Sequence, residues 1–166
     1  MSVSKVIASP QRLRDVVESI RAAGETIAFT NGCYDLLHVG HVRSLQGARA
    51  CADRLIVGVN SDASVKRNKG PRLPVVPQHE RAEVLAALAS VDYVFIFDDP
   101  TVDPLLELIR PDAYCKGPEY DMNNLPERET VRRLGITYRQ VGDPKDHSTS
   151  DLIRRVAEAQ RAGGRT

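Results

Sequence analysis

The segment that decides the fold is residues 27–45, IAFTNGCYDLLHVGHVRSL. Its first four residues predict a buried strand, which ends at Asn31 and Gly32. After a polar turn, a helical pattern begins with His38 and His41 in its first turn. A phosphate or other anion beside the strand end would meet free backbone N–H groups, the positive end of the helix dipole and two imidazoles. The segment therefore predicts an anion-binding site.

Strand and helix patterns alternate along the rest of the chain. A leading helix within residues 1–24, which begins at Ser9 and Pro10, comes first, and the apolar run 54–60 is typical of a parallel strand covered on both faces. Five alternations predict one α/β domain over residues 1–166, a doubly wound, Rossmann-like five-stranded parallel sheet with helices on both faces. The other predicted strands are 91–97, 113–116 and 137–141, the other helices are 78–90, 102–109, 126–134 and 148–162, and the disordered tail is 161–166.

In such a sheet, ligands bind beyond the carboxyl ends of the strands. The first predicted strand leads into residues 31–41, the second ends at Asn60, and the fourth ends at Lys116 and Gly117. We expect these loops to converge on one crevice. Residues 62–77 are polar, rich in Lys, Arg and Pro, and without clear periodicity, which predicts a long loop that could serve as a lid.

Composition excludes several kinds of protein. Hydrophobic residues make up 42% and charged residues 27%, which is ordinary for a soluble domain. The net charge of +1 and 5% aromatic residues give no reason to expect nucleic acid binding. Cys33, Cys51 and Cys115 form no CxxC pair, which favours buried thiols in a reducing compartment. With no signal-peptide core and no run of about 18 apolar residues, we expect a cytoplasmic protein without membrane contact.

His38 and His41 are neighbours at the helix start, and three interpretations of them stay open. As a metal pair they lack an obvious third ligand, and the helix N-terminus opposes a cation. As ordinary helix-start residues they would have no chemical role. As phosphate donors they agree with the strand end, the helix dipole and Gly40, which would let a phosphate approach the backbone.

The spacing of these residues resembles a family signature. Gly32-Cys-Tyr-Asp35 followed by His38-Val-Gly-His41 is similar to the GxFDxxHxGH motif of the cytidylyltransferase-like nucleotidyltransferases, with Tyr34 in place of the usual Phe. The resemblance extends from Thr26 to about residue 155. It implies that the two histidines serve the α- and β-phosphates of a nucleoside triphosphate.

Two further segments match the family's phosphate-binding residues. Asn60 followed by Lys66 and Lys69 resembles the lysine-bearing loop after the second strand, and Glu80-Arg81 resembles a pair whose arginine contacts nucleotide phosphates. Without the resemblance, each of these charges could equally lie on a solvated surface.

The last two matching segments lie in the second half of the chain. Residues 116–120, KGPEY, occupy the place of a KGxDY or GDDW segment near ribose and base, with Glu119 for Asp. Residues 148–150, STS, match the family's STT, whose hydroxyls cap a helix or bind phosphate oxygens. An arginine that some relatives place just upstream is missing, and Lys145 or His147 could substitute for it.

The resemblance implies nucleotidyl transfer from a nucleoside triphosphate to a sugar phosphate with release of pyrophosphate. Within the family, the chain looks most like the bacterial heptose 1-phosphate adenylyltransferases, which join ATP and D-glycero-β-D-manno-heptose 1-phosphate into ADP-heptose. The implied catalytic residues are His38, His41, Lys69 and Arg81, and Asp35, Lys66 and Lys69 are the implied acceptor-binding residues. The implied nucleotide-binding residues are Thr30, Asn31, Gly32, Cys33, Tyr34, Gly40, Asn60, Lys66, Lys116, Gly117, Glu119, Tyr120, Ser148, Thr149 and Ser150.

Two other functions stay open at this point. One is a glycerol-3-phosphate cytidylyltransferase, which uses CTP and makes CDP-glycerol. The other is a nucleotide-binding regulatory module without turnover. For an active enzyme, the resemblance implies Mg²⁺ bound through the nucleotide phosphates without dedicated protein ligands, and a homodimer.

Overall fold

In residues 4–143 and 149–163, the part of the chain that the computed structural model describes, six strands alternate with seven helices. The strands are β1 Val6–Ile7, β2 Ile27–Gly32, β3 Arg54–Asn60, β4 Tyr93–Phe97, β5 Ala113–Lys116 and β6 Thr137–Gln140. The helices are α1 Pro10–Ala22, α2 Val39–Arg49, α3 Asp62–Lys69, α4 Gln78–Ala86, α5 Asp103–Ile109, α6 Arg128–Leu134 and α7 Thr149–Gly163.

All neighbouring strands of the sheet run parallel, in the order β1-β4-β3-β2-β5-β6. The chain moves from β2 outward through β3 to β4, and then returns to the other side of β2 to form β5 and β6. The order therefore reverses between β2 and β5, and a ligand crevice is expected at the carboxyl ends of these two strands. The predicted doubly wound α/β fold is confirmed.

The central strands β2 and β3 separate two hydrophobic cores. Along β2, Ile27 and Phe29 enter the core on the side of α1, α5 and α6, whereas Ala28 enters the core on the side of α2 and α4. Because both faces are covered, Leu55, Ile56, Val57 and Val59 of β3 are all fully buried. Gly58 is required there, since a Cβ at this position would lie 3.0 Å from Cζ of Phe29.

The leading helix forms as predicted. The Ser9 side chain accepts a hydrogen bond from the backbone N–H of Arg12, and Pro10 occupies the first turn. The apolar face of the helix is buried, and it consists of Leu13, Val16, Val17 and Ile20.

Several predicted boundaries were wrong. A sixth strand, β1, pairs with β4. It has only two residues, which is too few to show the alternation of apolar and polar residues that predicts a strand. β2 continues through Asn31 and Gly32, because both residues pair with β3. α4 ends at Ala86, and α7 continues to Gly163, so residues 161–163 of the expected disordered tail are helical, while residues 164–166 lie outside the described part.

The long irregular loop predicted for residues 62–77 was also wrong in its first half, which forms α3. Ser61 caps this helix by accepting a hydrogen bond from the N–H of Ser64 (3.0 Å). Asp62 in the first turn and three basic residues in the last turn agree with the helix dipole, and Gly70, at φ 96°, ends the helix. Ala63 and Val65 are the only apolar residues of this helix, so its capping residues indicate it and hydrophobic periodicity does not.

Across the described residues, no helix combines the length and the apolar character that crossing a bilayer requires.

Candidate active site

A cleft of about 580 Å³ opens at the carboxyl ends of β2, β3 and β5. The loops that follow these three strands all contribute to its wall, which confirms that they converge. The sequence-predicted residues that line it are Thr30, Asn31, Gly32, Cys33, Tyr34, Asp35, His38, Gly40, His41, Asn60, Lys69, Lys116, Gly117, Glu119, Tyr120, Thr149 and Ser150.

The two histidines lie together on the cleft wall at the start of α2. His38 is the extended residue that precedes the helix, and its backbone N–H points to Nδ1 of His41 at 3.4 Å. The two imidazole rings stack with centroids 3.9 Å apart. Because Nδ1 of His41 accepts, the neutral ring carries its hydrogen on Nε2, where it can donate to a ligand.

The environment of His41 disfavours its protonated form. Burial, with smaller contributions from the charges of His38 and Lys69, lowers the pKa of His41 from 6.5 to about 4. In the unliganded protein this imidazole is therefore neutral at pH 7. A bound phosphate would oppose this effect, since a nearby negative charge favours the imidazolium.

Tyr34 shapes the loop beneath the histidines. It has a left-handed backbone (φ 48°), which is unusual for a residue with a bulky side chain, and its ring is buried edge-on to His41 with centroids 5.4 Å apart. A Cβ at Gly32 would lie 3.1 Å from this ring, so glycine lets the tyrosine fold back over the strand end. Burial raises the pKa of Tyr34 to about 12, and the hydroxyl stays neutral.

Arg81 does not reach the cleft, and the prediction that it contacts phosphate is not supported by its position. Its side chain is fully buried (0% exposed). Nε donates to the carbonyl of Val76 (2.9 Å), Nη1 donates to the carbonyl of Cys33, and Nη2 donates to Oδ1 of Asp62 (2.7 Å). All three nitrogens are used within the protein, so Arg81 joins the segment after β2 to the starts of α3 and α4.

Asp35 has a similar linking position. It lines the cleft, but its carboxylate accepts the backbone N–H groups of Val75 and Val76 at 2.8–2.9 Å. These hydrogen bonds hold Val75 and Val76 beside the cleft, and the contact between Asp35 and an acceptor stays a prediction. Together Asp35 and Arg81 fix the conformation of the loops around the histidines.

The two candidate lysines of α3 differ in their position relative to the cleft. Lys69 lines the cleft, whereas Lys66 is exposed and lies outside it. The hydroxyls of α7 also line the cleft: Oγ1 of Thr149 donates to the carbonyl of Leu36 (3.4 Å), and the next residue, Ser150, is exposed. Ser148, Lys145 and His147 lie outside the described residues.

Lys116 extends from the end of β5 over two tyrosine rings. Its Nζ is 4.9 Å from the ring centroid of Tyr120 and 5.9 Å from that of Tyr114. The same nitrogen is 3.4 Å from Oδ1 of Asn31, to which the Tyr114 hydroxyl also donates (2.7 Å). Burial lowers the pKa of Lys116, although the charges of Glu127 and Glu119 raise it.

Sequence reasoning missed several residues of the cleft wall. The side chains of Ser44, Asn68, Phe97, Val102 and Glu127 also contribute to it. Ser44 follows His41 by three residues and Asn68 precedes Lys69, so helical spacing and adjacency could have indicated them. Nothing in the local pattern around Glu127 shows that this carboxylate becomes buried.

The cleft offers little to a metal ion by itself. Within residues 4–143 and 149–163, no three His, Cys, Asp or Glu side chains form a group that could hold a metal ion. The carboxylates of Asp35 and Asp62 are already used by backbone N–H groups and by Arg81.

The chain matches known proteins in sequence. A family model described as cytidylyltransferase-like matches residues 29–155. The bifunctional protein HldE of Syntrophotalea carbinolica is 42% identical over 153 residues, 92% of this chain and 31% of that protein. HldE of Bradyrhizobium sp. is 45% identical over 157 residues, 95% of this chain and 32% of that protein. The chain thus spans about a third of the length of these curated relatives.

Solved structures share the fold. The lipopolysaccharide core biosynthesis protein of Thermoplasma volcanium superposes with a TM-score of 0.63 at 25% identity, over 74% of this chain and all of that chain. Pantoate-beta-alanine ligase of Francisella tularensis superposes with a TM-score of 0.64 at 17% identity, over 89% of this chain and 69% of that chain, which shows the fold alone. With the family match over 29–155 and the histidine-bearing cleft at the switch point of the sheet, the chain belongs to the cytidylyltransferase-like family of nucleotidyltransferases.

Proposed function

We propose that this protein transfers a nucleoside monophosphate from a nucleoside triphosphate to a sugar phosphate, with ATP and D-glycero-β-D-manno-heptose 1-phosphate as the substrates and ADP-heptose and pyrophosphate as the products. The observation that carries the proposal is the stacked pair of His38 and His41 at the start of α2, on the wall of the cleft between β2 and β5. The relatives named HldE support an adenylyltransferase of this kind, as does the resemblance of residues 116–127 to the heptose 1-phosphate enzymes.

The chemistry is an in-line displacement at phosphorus. An oxygen of the acceptor phosphate attacks the α-phosphorus, the bond to the bridging oxygen breaks, and the electron pair leaves with pyrophosphate. The acceptor phosphate is already ionised at pH 7, so no strong general base is required. Catalysis then depends on positioning the two phosphates and on stabilising the charge that develops on the α-phosphate and on the leaving group.

The residues of the cleft supply this stabilisation. Nε2–H of His41 donates to the phosphate chain at the N-terminus of α2, where the helix dipole also favours negative charge. Lys69 approaches from α3, and the hydroxyls of Thr149 and Ser150 approach from α7. Mg²⁺ would enter with the nucleotide and neutralise part of the triphosphate charge.

A matrix of substrates tests the proposal. Pyrophosphate release is measured with ATP, CTP, GTP and UTP, each with heptose 1-phosphate and with glycerol 3-phosphate. Turnover that requires ATP and heptose 1-phosphate supports the proposal. Turnover with CTP and glycerol 3-phosphate indicates a glycerol-3-phosphate cytidylyltransferase, and nucleotide binding without turnover in every pair indicates a binding module. Either of the last two results contradicts it.

His41→Ala tests the mechanism. Removing a preorganised donor to developing charge should lower turnover on the order of a hundredfold. His79→Ala is the matched control, because His79 is an exposed histidine outside the cleft and its loss should leave turnover unchanged. A folded His41→Ala protein with nearly normal turnover would refute the mechanism.

A further inference from the structure

Glu127 is a buried carboxylate whose position in the cleft wall has no role in the proposed reaction. It lies just before α6, is 8% exposed, and lines the cleft between β5 and α6. Its Oε2 is buried and has no hydrogen-bond partner among the described residues. A buried acceptor without a donor is destabilising. Such an atom on the wall of a substrate cleft indicates that a ligand supplies the missing donor.

The Tyr114 hydroxyl and the Lys116 amine interact with the Glu127 carboxylate, and the polar groups around Glu127 also contact one another. The Tyr114 hydroxyl donates to Oδ1 of Asn31, and the Lys116 amine lies against Asn31 and over the ring of Tyr120. These groups form a wall of two tyrosine rings, an amide and an amine around the carboxylate. The wall has both apolar faces and hydrogen-bonding edges, as ligand pockets for polar molecules commonly do.

Charge divides the cleft into two ends. The histidines, the start of α2 and Lys69 favour phosphate groups. At the other end, next to the tyrosine rings, the carboxylates of Glu127 and Glu119 act on the single amine of Lys116. Their two negative charges exceed its one positive charge, which disfavours phosphate there. The part of a substrate that reaches this second end is therefore uncharged and able to donate hydrogen bonds, and the hydroxyls of a sugar meet both conditions.

We propose that Glu127 is a specificity-determining residue whose Oε2 accepts a hydrogen bond from a sugar hydroxyl of a bound substrate. Two sources share this chemistry: the ribose of the nucleotide and the sugar of the phosphorylated acceptor. The choice of these two ligands rests on the proposed function.

The test compares Glu127→Gln and Glu127→Met with Glu129→Gln. Glu129 is the matched control, since it lies two residues away in the first turn of α6 and is exposed to solvent. In the nucleotide arm, calorimetry measures the Kd of ATP, 2′-deoxy-ATP and 3′-deoxy-ATP for each variant of the full chain. In the acceptor arm, pyrophosphate release measures the KM for heptose 1-phosphate and for mannose 1-phosphate, which lacks one CHOH group.

If Glu127 accepts a hydrogen bond from a substrate, Glu127→Met should weaken the binding of that substrate about tenfold or more, because the lost bond involves a charged group. Glu129→Gln should leave the binding of both substrates unchanged. If ribose is the partner, the substitution weakens the binding of ATP but not the binding of the deoxy-ATP that lacks the contacted hydroxyl. If the acceptor is the partner, the loss appears in KM and is smaller with the sugar that lacks the contacted hydroxyl.

The inference is overturned if folded Glu127→Gln and Glu127→Met proteins bind every ligand with wild-type affinity. It is also overturned if the loss of affinity is the same for ligands with and without each tested hydroxyl. The nucleotide arm needs no turnover, so failure of the proposed reaction is detected separately, by an inactive wild-type protein. Thermal unfolding of each variant confirms that it is folded before its affinities are compared.

Discussion

His41 and Arg81 both contact the segment that follows β2, and their side chains have opposite surroundings. His41 is half-buried on the cleft wall, and its Nδ1 accepts the backbone N–H of His38, so Nε2 carries the hydrogen of the neutral ring. Arg81 is completely buried and donates only to groups of the protein, among them the Cys33 carbonyl and Asp62. The difference teaches that a basic residue near a phosphate site can act either on the ligand or on the loops that surround it.

Replacing Arg81 should have the largest effect, and it should appear in stability. Arg81→Met leaves Asp62 without its cation and two part-buried carbonyls without donors, so we expect the free energy of unfolding to fall by about 3 kcal/mol in urea titrations. Arg133→Met breaks the exposed pair with Glu107 (2.6 Å) and should cost at most about 1 kcal/mol. An Arg81→Met protein that is as stable as wild type but inactive would place Arg81 on the ligand instead.

Two lysines of α3 also differ in whether they face the cleft. Lys69 lines the cleft and Lys66 does not, although both are exposed residues of α3. Lys69→Ala should raise the KM for the nucleotide about tenfold, because it removes a charged donor to phosphate, and Lys66→Ala should change it less than about twofold. Steady-state pyrophosphate release measures both values, and equal effects of the two substitutions would contradict the assignment of Lys69 to the ligand.

A last prediction concerns the pH dependence of stability. The pKa of His41 is about 4 in the folded protein and 6.5 as its ordinary value. As pH falls from 6.5 towards 4, the unfolded chain therefore binds a proton that the folded protein does not, and stability is lost. This contribution is fully present above pH 6.5. His41→Asn should show a shallower loss of stability over that range in urea unfolding, and identical slopes for both proteins would show that His41 is not desolvated.

The predictable parts of the fold are those with local signals. β3 and β5 were predicted at the observed bounds, because a strand covered on both faces must be apolar throughout. The start of α2 was predicted from the turn and histidines before it. β1 and α3 were missed. The two residues of β1 cannot show a period, and the two apolar residues of α3, Ala63 and Val65, are two positions apart and do not share a helix face.

The candidate site also has parts that local sequence predicts and parts that it does not. The spacing of His38 and His41 was sufficient to place both at a helix start, and the strand order brought Lys69 and Thr149 to the same cleft. The spacing of charges could not show that Arg81 becomes buried. It also could not show that Asp35 is used by Val75 and Val76, because these contacts join residues 40 or more positions apart.

By itself, the sequence determined the alternation of strands and helices, the strand-turn-helix with its two histidines, and the membership of a nucleotidyltransferase family. These depend on periodicity, capping and spacing, which act over a few residues. Only the tertiary structure decided which charged side chains face the cleft, why His41 is neutral at pH 7, and that Glu127 is buried with its Oε2 unpartnered among the described residues. Desolvation and hydrogen bonding between distant segments have no local signature, since they exist only once the sheet and its helices have packed together.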